Sequence, residues 1–468
     1  MDVLNFIVNE ILSKPALLIG LMALIGLVAM WKAPSEILSG TLKTILGFII
    51  LIGGAGIVVG ALTPLGTMIQ VGFQLHGVVP TNEAIVALAQ KAFGPQTAII
   101  MALGFVANLV LARFTPAKYV FLTGHHLFYM ATVLAVVLGA AGVTGVHGVI
   151  LGAVMLGTIA TVMPALVHPF MRKVNGDAGF ALGHFNSLGY IVASYVGKAV
   201  GKGSKTTEDI KVPDRLGFLR DNLVMTTLVM IIVYVGLVLL AGPKSVEAAA
   251  GGGNYVMYAF TEGLTFGAGV AVILLGVRMI IAEIVPAFAG IAERIVPKAM
   301  PALDCPTTFP YAPNAVVIGF ISSLIGGIVG LFLVGPIGLA LIIPGMVPHF
   351  FDGGTAGVFG NATGGRRGAV AGAFVNGLLI TFLPALMLGF LGNLGLANTT
   401  FGDSDFAWVG IVVGYFAQIG IVGAYILVFA LCAALLVLAS VVTIRTNRSI
   451  DSKPVKPVSP EAPTAQAA

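Results

Sequence analysis

The stretch GAVMLGTIATVMPAL, at residues 152–166, contains no charged residue and lies in an apolar run long enough to cross a bilayer. It returns 220 residues later as GAFVNGLLITFLPAL, at 372–386, with seven of fifteen positions identical. Chance similarity between two apolar helices is the alternative to an internal repeat. We predict that the fold is built from two related sets of apolar helices.

The composition of the whole chain is that of a membrane protein. Of its 468 residues, 58% are hydrophobic, 9% are charged and 62 are glycine. The apolar runs have the length of helical spans, and the alternating strands of a porin-type barrel are absent. Cys305 and Cys432 form no metal-binding spacing, so neither a metal site nor a disulfide is predicted. We therefore predict an all-α polytopic membrane protein.

Eleven apolar runs are candidate membrane spans, near 15–31, 43–62, 97–112, 119–141, 148–169, 222–241, 263–285, 313–334, 337–351, 369–392 and 421–444. Eight of the 24 lysines and arginines fall between Arg172 and Arg220, which predicts a cytoplasmic segment there. Arg445 and Arg448 place the C-terminus on the same side. Eleven spans then place the N-terminus outside.

The two ends of the chain differ from this apolar body. Residues 1–14 lack the features of a signal peptide and resemble a short amphipathic helix. Residues 446–468, rich in Lys, Pro, Ala and Ser, are predicted to form a disordered cytoplasmic tail. Residues 1–445 are thus expected to form a single membrane domain.

An odd number of spans in each repeat means that the second repeat is inverted relative to the first. The repeats extend over about 15–200 and 222–420, and 421–444 is an added helix. Secondary transporters often have inverted repeats, with substrate bound near the midplane at broken helices. Two re-entrant hairpins are predicted, within 65–96 and 286–312. Asp304 lies at the tip of the second hairpin.

Ionisable residues beside Gly or Pro are the candidate binding groups. Asp304 lies between Pro301 and Pro306, where the backbone cannot continue a regular helix, so a carboxylate would be accompanied by free backbone groups. It could instead cap the next helix. His125, His126 and His184 follow glycines in apolar surroundings and are either substrate contacts or structural hydrogen-bond donors. The segment 350–361 is predicted to be a Gly-rich connection.

At these segments the chain resembles the membrane subunit, enzyme IIC, of the ascorbate family of bacterial phosphotransferase-system permeases. The similarity covers nearly the whole chain and consists of several motifs in order. They are LTGHH (122–126), DAGFALGH (177–184), the basic stretch 197–213, GVRM with AE (276–283), LDC (303–305), APNAVV (312–317) and IPGMVPHFF (343–351).

The resemblance implies an eleven-helix protomer, a homodimer, a scaffold domain and a mobile core that moves as an elevator. It also implies a separate phosphorylated IIB partner, itself charged from IIA, and no cofactor. The implied substrate contacts are Ile85, Val86, His125, His126, Tyr129, His184, Phe185 and Asp304. The family's best-known ascorbate carriers have amides where this chain has Tyr129 and Phe185, so the substrate could be another small polyol or sugar acid.

The leading hypothesis is a permease of the inner membrane that delivers L-ascorbate, or a close analogue, to phosphorylated IIB. It is a transport subunit rather than an enzyme. One alternative is an ion-coupled secondary transporter that uses Asp304 or Glu283. Another is an intramembrane enzyme that uses Asp304 and Cys305.

Overall fold

The computed structural model describes residues 14–72, 77–210, 222–294, 296–393 and 399–450. The predicted amphipathic helix at 1–14, apart from Lys14, lies outside this part, as do the end of the basic stretch at 211–221 and residues 451–468 of the predicted tail.

The described residues contain thirteen α-helices and five short strands. The helices are α1 (Pro15–Ala29), α2 (Pro34–Gly72), α3 (Asn82–Phe114), α4 (Gly124–Ala140), α5 (Gly145–Asn175), α6 (Ser187–Val200), α7 (Asn222–Ala241), α8 (Glu247–Ala250), α9 (Tyr255–Arg294), α10 (Pro313–Val334), α11 (Met346–Met387), α12 (Ser404–Gln418) and α13 (Ile421–Ile450). The strands are β1 (Val79–Pro80), β2 (Tyr119–Phe121), β3 (Ala181–Leu182), β4 (Met300–Leu303) and β5 (Thr399–Thr400).

Seven of the described helices are long and apolar enough to cross a membrane, namely α2, α3, α5, α9, α10, α11 and α13. Three further apolar helices, α1, α4 and α7, are shorter. The predicted class, a polytopic helical membrane protein, is confirmed.

Several predicted boundaries are wrong. Residues 337–345 are not helical, because Pro336 precedes them, Pro344 lies among them and Ile342 forms a β-bridge with Val78. The predicted span at 119–141 begins instead with β2. The tail does not start at Thr446, because α13 continues to Ile450.

The predicted Gly-rich connection at 350–361 is also wrong, because these residues lie within α11. Its glycines form a close helix contact instead: a Cβ atom on Gly354 would come within 2.9 Å of the Val316 side chain on α10. Small residues permit such close approach of helices in a membrane protein.

The strands join the two halves of the sequence. In the first sheet, β4 from the second half lies between β2 and β3 from the first half, and all three are parallel. In the second sheet, β1 from the first half pairs in parallel with β5, and the adjoining Val78 bridges to Ile342. Each half therefore supplies a strand that pairs with the other half.

Helix α11 consists of two helical pieces that reverse direction. The reversal occurs at Gly364 (φ −146°, ψ 16°) and Gly365 (φ 58°, ψ −150°). The positive φ of Gly365 favours glycine. Gly360 and Gly368, on either side of the turn, lie so close that a Cβ atom on either would overlap the carbonyl oxygen of the other. The two pieces thus form a tight helical hairpin.

A connecting segment, residues 204–209, fastens this hairpin turn to α10. The backbone N–H of Arg366 donates to the Lys205 carbonyl at 2.8 Å. The Glu208 carboxylate accepts from the backbone N–H groups of Asn314 (3.4 Å) and Ala315 (3.2 Å) at the start of α10. Burial raises the pKa of the Glu208 carboxyl above its usual range.

We expect Gly197→Ala to lower the unfolding midpoint of the detergent-purified protein. A Cβ atom there would lie 2.5 Å from Thr363 Oγ1 and 2.8 Å from the Gly360 carbonyl oxygen, so α6 and α11 would have to separate. Overpacking of this kind costs about 1–3 kcal/mol. Gly60→Ala on α2 is the matched control, because nothing lies within 4 Å of its added Cβ. An equal midpoint for the two variants would contradict the expectation.

Candidate functional site

A cavity of about 600 Å³ lies where the loops after the first sheet face α2. Its polar lining comes from Lys14, Asn82, His125, His126, Tyr129, His184, Asp304, Cys305, Asp352 and Asp403. Its apolar lining includes Phe48, Ile52, Ala55 and Val59 of α2. One wall can therefore form hydrogen bonds, and the wall formed by α2 offers mainly apolar contacts.

The parallel sheet explains why distant polar residues meet here. The strands β2, β4 and β3 point the same way, so their carboxyl ends lie at one edge. His125 follows β2, Asp304 follows β4 and His184 follows β3. The sheet therefore gathers three residues that are separated by up to 179 positions in the sequence.

Asp304 is at the centre of this group. Its Oδ1 accepts a hydrogen bond of 2.7 Å from the Cys305 backbone N–H and so caps the 3₁₀ helix Cys305–Tyr311. Its Oδ2 lies 3.4 Å from His125 Nε2, and its Oδ1 lies 3.7 Å from His184 Nε2. Both separations are longer than a normal hydrogen bond. The carboxyl group is thus close to two imidazoles without being fully engaged by either.

Backbone groups determine the tautomers of two histidines. The Phe185 N–H donates to His126 Nδ1 and the Asn186 N–H donates to His184 Nδ1, each at 3.2 Å. Because Nδ1 accepts in both rings, their proton lies on Nε2. His184 therefore presents an N–H donor toward Asp304 and Asp352, whose Oδ1 atoms lie 3.7 and 3.8 Å from Nε2.

In the part of the chain that the structure describes, three groups of side chains have a spacing that could hold a metal ion: His125–His126–Asp304, His126–His184–Asp403 and His184–Asp304–Cys305. Each includes His126 or His184. A metal-bound histidine usually donates its second ring N–H to a nearby acceptor, whereas Nδ1 of these two rings accepts from the backbone. The donor set therefore suits hydroxyl groups better than a metal ion.

The structure brings together five of the eight predicted contact residues. His125, His126, Tyr129, His184 and Asp304 line the cavity. Ile85, Val86 and Phe185 do not appear in its lining.

The three remaining residues are buried in the protein and do not form part of the cavity lining. Ile85 and Val86 lie in the first turn of α3, where the Ile85 N–H donates to the Thr81 carbonyl. The ring of Phe185 stacks on Phe121, with a centroid distance of 4.6 Å. The amide expected at position 185 would therefore be placed among aromatic rings.

Sequence reasoning did not select Asn82, Asp352 and Asp403 as contacts. The Asn82 side-chain amide donates to Asp403 Oδ1 at 2.8 Å, and its oxygen accepts from the Gly402 N–H at 2.8 Å. The available signal was weak, because Asn82 and Asp403 lie among other polar residues and nothing in the sequence distinguishes them from their neighbours. Their meeting depends on contacts across more than 300 residues.

Helices α6 and α12 begin beside the cavity and cap each other. Asp405 of α12 accepts from the backbone N–H groups of Ser187 (2.8 Å) and Leu188 (3.1 Å) at the start of α6. In return, Asn186 Oδ1 accepts from the Ser404 N–H at 3.0 Å. This reciprocal capping holds the turn that carries His184.

Comparisons with known proteins give one family. Residues 10–405 match the EIIC-GAT family model, described as a PTS system sugar-specific permease component. An ascorbate-specific PTS system EIIC component of Mycoplasma pneumoniae is 28% identical over 365 residues, which are 68% of this chain and 55% of that protein. The chain thus spans about half the length of this relative.

Proposed function

Because the chain belongs to the EIIC-GAT family of sugar-specific permease components of the phosphotransferase system, we propose that it carries L-ascorbate, or a close analogue, across the bacterial inner membrane. It presents the substrate to a separate phosphorylated IIB protein, which performs the phosphoryl transfer. The observation that carries this proposal is the position of Asp304 between His125 and His184 in the cavity.

The gaps beside Asp304 suit hydroxyl groups. A hydroxyl oxygen could lie about 2.8 Å from both an imidazole nitrogen and a carboxylate oxygen that are 3.4–3.7 Å apart. It would accept from the imidazole and donate to the carboxylate. An enediol or a polyol offers adjacent hydroxyls for such contacts.

Helix termini favour a substrate with negative charge. Helices α4 and α6 begin one residue before His125 and three residues after His184, and α11 and α12 begin near Asp352 and Asp403. The N-terminus of a helix carries a partial positive charge. Discontinuous helices of transporters direct such termini at anionic substrate groups. These termini, together with Lys14 in the cavity lining, offset the charge of the lining carboxylates and so permit an anionic substrate such as ascorbate or another sugar acid.

The two walls of the cavity support the elevator mechanism. The polar wall belongs to the first sheet and its helices, which would form the mobile core. The wall of α2 would belong to the scaffold, where α2 packs with α7 and α9. Mainly apolar contacts with α2 would let a core with bound substrate move without losing specific hydrogen bonds.

The strand pairing supports two inverted repeats. Strand β4 and the adjoining Asp304 lie about 220 residues after β1 and the adjoining Asn82. The same offset separates residues 152–166 from residues 372–386. On this assignment α4 and α5 correspond to the two pieces of α11, and α6 corresponds to α12. We propose eleven spans, a homodimer, an N-terminus outside and a cytoplasmic C-terminus.

Reconstitution in proteoliposomes tests this function against the ion-coupled alternative. Labelled L-ascorbate should accumulate as its phosphate only when phosphorylated IIB is enclosed. An ion gradient without IIB should give no accumulation. Glu283 is not placed to couple an ion to substrate movement, because it pairs with Lys43 at 3.3 Å and does not line the cavity. Accumulation of unmodified ascorbate with the gradient would contradict the proposal.

The basic segment is proposed to receive IIB. Lys198, Lys202 and Lys205 are exposed next to the hairpin turn that carries Arg367. Changing the three lysines to Gln should raise the IIB concentration needed for half-maximal uptake several-fold and weaken its salt dependence. The affinity for ascorbate should not change.

Lys244→Gln, at an exposed position after α7, is the control for this prediction. If the triple variant keeps the wild-type salt dependence, the lysines serve only to orient the protein in the membrane.

A further inference from the structure

Asp352 has a buried acceptor that the protein does not use. The residue lies on the first piece of α11, is 1% exposed and lines the cavity. Its Oδ1 lies 3.3 Å from the Tyr190 hydroxyl, which also lies 3.0 Å from His184 Nδ1. Its Oδ2 is buried and has no hydrogen-bond partner among the described residues. The carboxyl group thus has at most one hydrogen bond to the described residues, and Oδ1, with two lone pairs, can accept a second one from a ligand.

A comparison with Asp405 shows that this is not a general property of buried carboxylates here. Both residues are buried in the same part of the protein. The two oxygens of Asp405 accept from the Ser187 and Leu188 N–H groups and from Trp408 Nε1. Asp405 thus has the bonding expected of a structural residue, whereas Asp352 has only one hydrogen bond, on one oxygen.

His184 lies between two carboxyl groups. Its Nε2 is 3.7 Å from Asp304 Oδ1 and 3.8 Å from Asp352 Oδ1. Neither separation is a hydrogen bond, but each would admit a hydroxyl oxygen about 2.8 Å from both atoms. The two gaps share one nitrogen, whose single N–H can donate to one of the two hydroxyls, so the hydroxyls that fill the gaps must be close together. Adjacent carbon atoms of one ligand would supply them.

We propose that Asp352 is a second substrate-binding carboxylate, which accepts a hydrogen bond from the hydroxyl next to the one held by Asp304. The pair selects substrates with vicinal hydroxyl groups. This inference rests on the proposed function and identifies the chemical class that the site takes. A site that hydrogen-bonds a hydroxyl strongly rejects analogues that lack it, because its polar group is then left unpaired.

The test is Asp352→Asn, measured by isothermal titration and by thermal unfolding. The dissociation constant for L-ascorbate should rise at least tenfold. The unfolding midpoint without ligand should stay the same or rise, because a buried unsatisfied carboxylate has been removed. Weaker ascorbate binding without a lower unfolding midpoint is expected for a binding residue and not for a structural one. Asp209→Asn, at an exposed position, is the control and should change neither value.

Ligand analogues that lack one hydroxyl group test the contact with Asp352 directly. The analogues are 5-O-methyl- and 6-O-methyl-L-ascorbate, because the two side-chain hydroxyls, unlike the acidic C3 enol, stay protonated in the ascorbate anion. The analogue that loses the hydroxyl bound by Asp352 should bind wild type and Asp352→Asn about equally. If the Asn variant does not accumulate, Asp352→Ser provides the same comparison with a smaller polar group.

The outcomes distinguish the two proposals. Wild-type protein that binds no ascorbate would overturn the proposed function and this subsite with it. Wild-type binding together with an unchanged dissociation constant in Asp352→Asn would overturn the subsite alone. A lower unfolding midpoint together with weaker binding would also overturn it, because Asp352 would then be structural.

Discussion

Asp304→Asn is expected to raise the dissociation constant for L-ascorbate at least about 100-fold while the protein still inserts into the membrane. The variant loses the charged acceptor that faces both His125 and His184. Each hydrogen bond to a charged group contributes about 1.5–3 kcal/mol, and a factor of ten corresponds to about 1.4 kcal/mol. The Asn oxygen can still accept from the Cys305 N–H, so the 3₁₀ helix should persist.

Asp177→Asn is the matched control for this variant. Asp177 is a carboxylate that is paired with Arg172, but it precedes β3, whereas the cavity lies at the other end of that strand. The Asp177→Asn variant should bind ascorbate with the wild-type dissociation constant in the same titration. If Asp304→Asn binds ascorbate with wild-type affinity, Asp304 serves only as a helix cap.

Asp405→Ala should have the largest effect on stability and should also abolish ascorbate binding. The substitution leaves the N–H groups of Ser187 and Leu188 without an acceptor in a buried region. Each such group costs about 1–3 kcal/mol. The turn that carries His184 would then lose its fixed position. The thermal unfolding midpoint and hydrogen exchange at Ser187 and Leu188 measure the two effects.

Trp408→Phe removes a third hydrogen bond from the same carboxylate and keeps both bonds to α6. It should lower the midpoint less and should retain binding. Equal loss of ascorbate affinity in the two variants would mean that the capping of α6 does not position His184. Unchanged exchange at Ser187 in Asp405→Ala would show that α6 is capped by other groups.

Sequence predicted the helical class because long apolar runs permit few other structures in a membrane. It missed α6 and α12, with 14 and 15 residues, because each is shorter than a span and begins among polar residues. It also missed the strands, which have two to four residues. Such short strands form only by pairing with distant parts of the chain, so no local sequence pattern predicts them.

The candidate site was accessible to sequence reasoning where polar residues lie beside Gly or Pro in an apolar chain. This signal found His125, His184 and Asp304. The same signal is present at Asp352, which precedes Gly353 and Gly354, but the segment was interpreted as a connection and not as a helix that faces His184, so Asp352 was not assigned to the site. Nor could the signal show that Phe185 turns its ring toward Phe121, because side-chain direction depends on packing.

The position of β4 between β2 and β3 has a consequence for how the protein is made. Ribosomes synthesise β2 and β3 more than 100 residues before β4. Until then the two strands have no central partner, and the edge that carries His125 and His184 is incomplete. The first half of the nascent chain can therefore enter the membrane before its binding residues are arranged. Final assembly must wait until translation has passed residue 303.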